Sequence, residues 1–195
     1  MAIQSTPKWI GGIAANIANK TLKQTDMTLV ENVLTAAKKY LNQTEKKGNS
    51  GFVDAAFEKK MKEMGWNTNQ SWCAYFAELA WKEGFAEHPL LPLLNNLFSA
   101  SATATFANFS HTDKFKTGNT PKPGALVVWR HGNSWKGHIG IVSSLVDKTT
   151  FKSIEGNTNA AGSREGTAVL EKTRKLGEPY KSNGLNVVGF VYLPE

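Results

Sequence analysis

Four residues in this chain are of the types that perform nucleophilic acyl transfer. Cys73 is the only cysteine among 195 residues and offers a thiol nucleophile. His138, in Gly137-His138-Ile139-Gly140-Ile141-Val142, offers a base whose charge changes near neutrality. Glu155 and Asn157, in Ser153-Ile154-Glu155-Gly156-Asn157-Thr158, are two groups able to hold an imidazole in one orientation. Nucleophile, base and orienting group are the parts such a site needs. Each residue alone has a plainer explanation: a small buried hydrophobe, a turn histidine, a strand-end acid, a turn asparagine. Their joint placement argues for chemistry, because each falls where the geometry would require it.

That geometry follows from the elements expected around them. Polar residues Asn67 to Ser71 give way to Trp72, Phe76 and Leu79/Ala80 at helical spacing, with Gly84 as a stop. Asn69 or Ser71 is the expected cap, so Cys73 falls in the first turn, where unpaired N–H groups and the macrodipole favour an anion. Residues 138 to 146 and 150 to 155 read as strands joined by a short turn. Antiparallel pairing sets the head of the first beside the tail of the second, so His138 meets Glu155 and Asn157. Residues two apart on a strand share a face, so both can look towards the ring. Glu155 adds Coulomb attraction for an imidazolium, whereas Asn157 can only orient it or donate towards a developing oxyanion, and the charge argument favours Glu155.

The remaining elements complete an α+β arrangement of N-terminal helices packed on an antiparallel sheet. Residues 27 to 45 show an apolar stripe of Leu29, Val30, Val33, Leu34, Ala37 and Leu41, with Thr28 and Glu31 spaced as a capping box. Phe52, Ala55, Ala56, Phe57, Met61 and Met64 form a shorter helix ending at Gly65. Residues 85 to 120 have no clear period, although the small residues 99 to 105 suit a short helix near the site or a loop over it. Residues 117 to 124 read as a loop. Further strands are expected at 125 to 129, 167 to 174 and 186 to 193, with meander connections.

Composition sets the class. A hydrophobic share of 41% and a charged share of 20% are those of a globular protein with a full core. A single cysteine rules out an internal disulfide framework and a Cys-rich zinc site, and four scattered histidines lack ligand spacing, so no metal or cofactor is expected. No apolar run reaches the length of a membrane span. The first 26 residues read as a leader without the features of an export signal, which implies synthesis in the cytoplasm, and residues 27 to 195 as one catalytic domain acting as a monomer. The net charge of +7, with a pI near 9.4, is spread along the chain and suits attraction to any polyanion. No basic helix or aromatic-basic motif points to nucleic acid.

Four stretches together resemble a CHAP domain, the cysteine- and histidine-dependent amidohydrolase/peptidase group within the papain-like and NlpC/P60-like cell-wall hydrolases. They are Ser71-Trp72-Cys73-Ala74-Tyr75-Phe76, Pro123-Gly124-Ala125-Leu126-Val127-Val128-Trp129, Gly137-His138-Ile139-Gly140-Ile141-Val142 and Ile154-Glu155-Gly156-Asn157-Thr158-Asn159. Gly162-Ser163-Arg164-Glu165-Gly166 further resembles phage- and prophage-encoded members. The resemblance implies Cys73 as nucleophile, His138 as base and then acid, Glu155 and Asn157 as polar partners, and peptidoglycan at the bacterial wall as substrate. Trp72, Tyr75, Trp129, Trp135 and Tyr180 are candidates to line the substrate groove, and His88 and His131 are read as surface or structural. No second domain suited to a separate wall-binding module is expected within these residues, and the helical portion is longer than a minimal version of this fold. Two other readings stay open: a cysteine amidase or peptidase on a non-wall amide, and a catalytically silent wall-binding or virion-associated module.

Overall fold

The computed structural model describes residues 28–159 and 166–194. The leader expected over residues 1–26, and most of the 162–166 stretch, lie outside the described residues. Helix α1 spans Leu29–Lys39, α2 Ala55–Glu63, α3 Cys73–Gly84, α4 Leu91–Leu97 and α5 Ala102–Ser110. The strands are β1 (Thr117–Gly118), β2 (Leu126–His131), β3 (Gly137–Leu145), β4 (Thr150–Thr158), β5 (Ala168–Lys175) and β6 (Leu185–Val191). They form one antiparallel sheet in the order β1-β6-β2-β3-β4-β5, so the fold is α+β, with helices preceding a sheet.

Local chemistry explains the helix starts. Thr28 and Glu31 close the expected capping box, with the Thr28 N–H donating to Glu31 Oε2 at 2.7 Å and the Glu31 N–H to Thr28 Oγ1 at 3.3 Å. Asp54 caps α2 by accepting from the N–H groups of Ala56 and Phe57. The first helix stops at Lys39, short of residue 45. Asn42 takes a left-handed φ of 68°, and the backbone beyond it joins strand edges, Thr44 bridging to Ala168 and Glu45 to Phe52. The segment between residues 85 and 120 resolves into α4, with Pro92 tolerated in its first turn, and α5, capped by Ser101. Its end departs from the expected loop, because Thr117 and Gly118 pair with Val191 and Phe190.

Strands β2 to β5 follow one another as a meander, but β6 breaks that order and returns to lie beside β2. Helix α3 is central, with every residue from Cys73 to Trp81 buried. A side chain on its Gly84 would stand 2.6 Å from the Cα of Val33, so α1 and α3 cross at backbone distance. On the sheet side, a Cβ on Gly156 would meet Phe76 Cβ at 2.6 Å and Trp72 Cζ3 at 2.7 Å, so the end of β4 lies directly on the first turns of α3. The main core joins α1 to α5 with Leu126, Val128, Ile139, Ile141 and Ile154. A smaller cluster holds the alternate residues Ala125, Val127 and Trp129 with Phe151 and Phe190. Among the described residues no helix is long and apolar enough to cross a membrane.

Candidate active site

Cys73 is the first residue of α3, as the spacing requires, but the expected cap is absent. The N-cap is Trp72, and no side chain caps the helix start. The opening N–H groups of α3 therefore have no side-chain acceptor within the helix, the condition in which a helix start serves an anion. Cys73 is 6% exposed and lies under the surface at the point where α3 meets the tail of β4.

His138 is fully buried near the head of β3, opposite Trp129 of β2, and the two rings lie 5.6 Å apart at 34°. Its Nε2 is 2.9 Å from Glu155 Oε2. Its Nδ1 is buried without a hydrogen-bond partner. The ring also feels Cys73, and Nδ1 is the nitrogen that the Glu155 bond leaves open. Burial pushes the ring towards neutrality, but the hydrogen bonds and charges of Cys73 and Glu155 outweigh it and raise its pKa to about 9. The site favours an imidazolium with a sulfur on one side and a carboxylate on the other.

Glu155 reaches the ring through a gap. A Cβ on Gly140 would stand 2.6 Å from Glu155 Cγ, so this side chain passes over Gly140 on its way to His138. The Gly-His-Ile-Gly spacing therefore carries two requirements of the site, the base and the empty position beside it. The carboxylate accepts from Ser153 Oγ at 2.6 Å and from Arg174 Nε at 2.7 Å on Oε1, and from Arg174 Nη2 at 2.5 Å on Oε2. Burial disfavours its charge, yet Arg174 and His138 hold its pKa at about 2. Arg174 also lies over the Trp129 ring, 4.9 Å from its centre.

The two candidate partners differ in backbone geometry. Glu155 meets the imidazole directly. Asn157 is buried two residues on, with a φ of 54° and a shift in register between Glu155 and Thr158. Sequence reasoning missed Gly140 and Arg174. The signal for Gly140 was its place two residues after His138, whereas Arg174 was hidden in a run of basic residues.

The expected groove aromatics divide as well. Trp72 is a correction: it is 0% exposed, packs edge-on against Phe52 at 5.0 Å and donates its Nε1–H to Glu45, which makes it core and not groove. Tyr75 is buried at 8% exposure, its hydroxyl 3.0 Å from Gln70 Oε1. Trp129 is buried against His138 and Arg174. Trp135 is 77% exposed at the tip of the β2–β3 hairpin, and Tyr180 is exposed with its hydroxyl donating to Asn133 Oδ1. A cleft of about 1090 Å³ reaches Trp129 and Arg174 from the side of the β5–β6 connection, lined also by Lys136, Lys175, Tyr180 and Lys181. Its lining includes none of Cys73, His138 and Glu155. His131 borders the same cleft, and His88 accepts from the Leu90 N–H beyond α3. Among the described residues no group of three His, Cys, Asp or Glu is placed to hold a metal ion.

No curated protein matches this sequence. Residues 64–157, a span that opens before Cys73 and closes on Asn157, match the family model of the CHAP domain. Over those residues the chain carries a CHAP domain, a family of the cysteine- and histidine-dependent amidohydrolase or peptidase type.

Proposed function

We propose that this protein hydrolyses an amide bond of peptidoglycan, within the stem peptide or cross-bridge or at the sugar–peptide junction, through a thioester on Cys73. The observation that carries the reading is the buried line Cys73, His138, Glu155, in which a helix-start thiol meets an imidazole whose other nitrogen is held by a carboxylate. Residues 27 to 195 form the catalytic domain in this reading. A phage or prophage origin rests on the resemblance at Gly162 to Gly166 alone.

The steps follow from the positions. Cys73 Sγ, its proton passed to His138 Nδ1, attacks the carbonyl carbon and forms the C–S bond as the carbonyl π electrons move to oxygen. N–H groups of the first turn of α3 face the developing oxyanion. Collapse breaks the C–N bond, and His138 gives its proton to the leaving amine. Water then attacks the thioester with His138 as base, releasing the carboxylate and restoring the thiol. Throughout, Glu155 stabilises whichever imidazolium forms. The net charge of +7 draws the protein to an anionic wall.

The test is digestion of purified peptidoglycan followed by mass spectrometry of the fragments. New amine and carboxylate ends, absent with Cys73→Ala and Cys73→Ser, support the reading. Walls left intact by a wild-type enzyme whose Cys73 reacts with iodoacetamide would move the substrate to another amide.

A further inference from the structure

Glu155 is a carboxylate with no exposed surface, and a buried charge persists only where partners replace its water. Two of its four bonds come from Arg174, one to each oxygen, with Ser153 and His138 supplying the others. That two-point fork fixes the plane of the carboxylate, which a single ammonium does not do. The guanidinium is itself fixed, because it lies 4.9 Å over Trp129, the ring that also packs against His138.

We propose that Arg174 is a positioning residue for the reaction: its fork sets Glu155 to receive His138 Nε2–H and keeps that carboxylate charged, so that Nδ1 is aimed at Cys73. Arg174 lines the cleft at the β5–β6 connection and acts through Glu155. Among the described residues, the ionisable groups facing Glu155 are His138 from β3 and Arg174 from β5, with Cys73 from α3 acting through the imidazole; Ser153, on β4 itself, is uncharged. Removing Arg174 leaves burial to raise the carboxyl towards protonation, and a protonated Glu155 no longer supports an imidazolium. The proposal rests on Cys73 and His138 being the reactive pair, but not on which amide is cut.

The experiment measures the rate of Cys73 alkylation by iodoacetamide against pH for wild type, Arg174→Gln and Arg174→Lys, with circular dichroism at each pH to confirm the fold. Loss of an adjacent guanidinium moves a carboxylate by about 1–3 pH units, so the acid limb of Arg174→Gln should move up by that amount. Arg174→Lys, with the charge but not the fork, should move in the same direction by less. On a hydrolysed substrate, kcat should fall with KM unchanged. A lowered melting temperature with an unmoved acid limb in either variant would make Arg174 a structural ion pair only and overturn the proposal. If Arg174→Gln does not fold, Arg174→Lys decides by the same criterion. Shifted limbs in a protein that leaves walls intact would uphold the role of Arg174 and defeat the peptidoglycan reading alone.

Discussion

Gly140→Ala is the sharpest test of how the site is held, because it adds one methyl group and removes no functional group. The new Cβ would stand 2.6 Å from Glu155 Cγ and 3.2 Å from the Ile154 carbonyl oxygen. Carbon atoms rest at about 3.5–4.0 Å, so Glu155 must retreat by roughly 1 Å. The contact is with the second carbon of the side chain, close to the backbone, so rotation of its far end gives no relief. The 2.9 Å bond to His138 Nε2 would then lengthen beyond hydrogen-bonding range. A hydrogen bond to a charged group contributes about 1.5–3 kcal/mol, which converts to a loss of roughly 10- to 100-fold in kcat/KM. The assay is initial rate on purified walls beside Cys73 alkylation, for Gly140→Ala, Glu155→Gln and the double variant. Both singles should fall, and the double should be little worse than Glu155→Gln, since both changes break one contact. Full activity in Gly140→Ala, or losses that multiply in the double variant, would refute the argument that this glycine exists to pass the carboxylate.

Other expectations follow from the same geometry. Glu155→Gln should draw the basic limb of activity down from near pH 9, because the imidazolium loses its carboxylate, whereas Asn157→Ala should lower the rate with a smaller change in the profile; rate against pH for both variants checks this. Stability should depend on pH at both ends. Glu155, depressed to about 2, contributes above its ordinary 4.5 and loses that contribution as pH falls towards 2, while His138, raised to about 9, contributes below its ordinary 6.5 and loses it as pH rises through 9. Melting temperature across pH should therefore fall on both sides in wild type and lose most of its acid-side dependence in Glu155→Gln. Binding to walls should weaken with salt as the Debye length contracts from about 10 Å at 0.1 M to about 3 Å at 1 M, and sedimentation across a salt series measures it.

How much of this was legible in the sequence depends on the range of the contact. Helix and strand periods located α1 to α3 and β2 to β6, and the turn between β3 and β4 was enough to bring His138 to Glu155. What failed was decided by single backbone dihedrals or by distant strands. Asn42 and Asn157 both adopt positive φ, one ending a helix early and the other interrupting the regular alternation of a strand. Asparagine tolerates that conformation, but nothing in its neighbours announces it. The return of β6 to the side of β2 is likewise a choice of partner, which periodicity does not encode.

Arg174 shows the same limit in the functional site. In the sequence it stands among Lys172 and Lys175, and a basic alternating strand reads as a solvated edge. In the sheet it stands opposite Phe151, while Glu155 stands opposite Leu170, four positions along the same ladder. Only a long side chain crosses that diagonal, and only a fork meets both carboxylate oxygens after crossing it. Lysines at 172 and 175 and arginine at 174 are interchangeable as charge but not as geometry. The one that is arginine holds the carboxylate that holds the base, so the difference between a surface charge and a member of the site lies in a guanidinium's reach and shape.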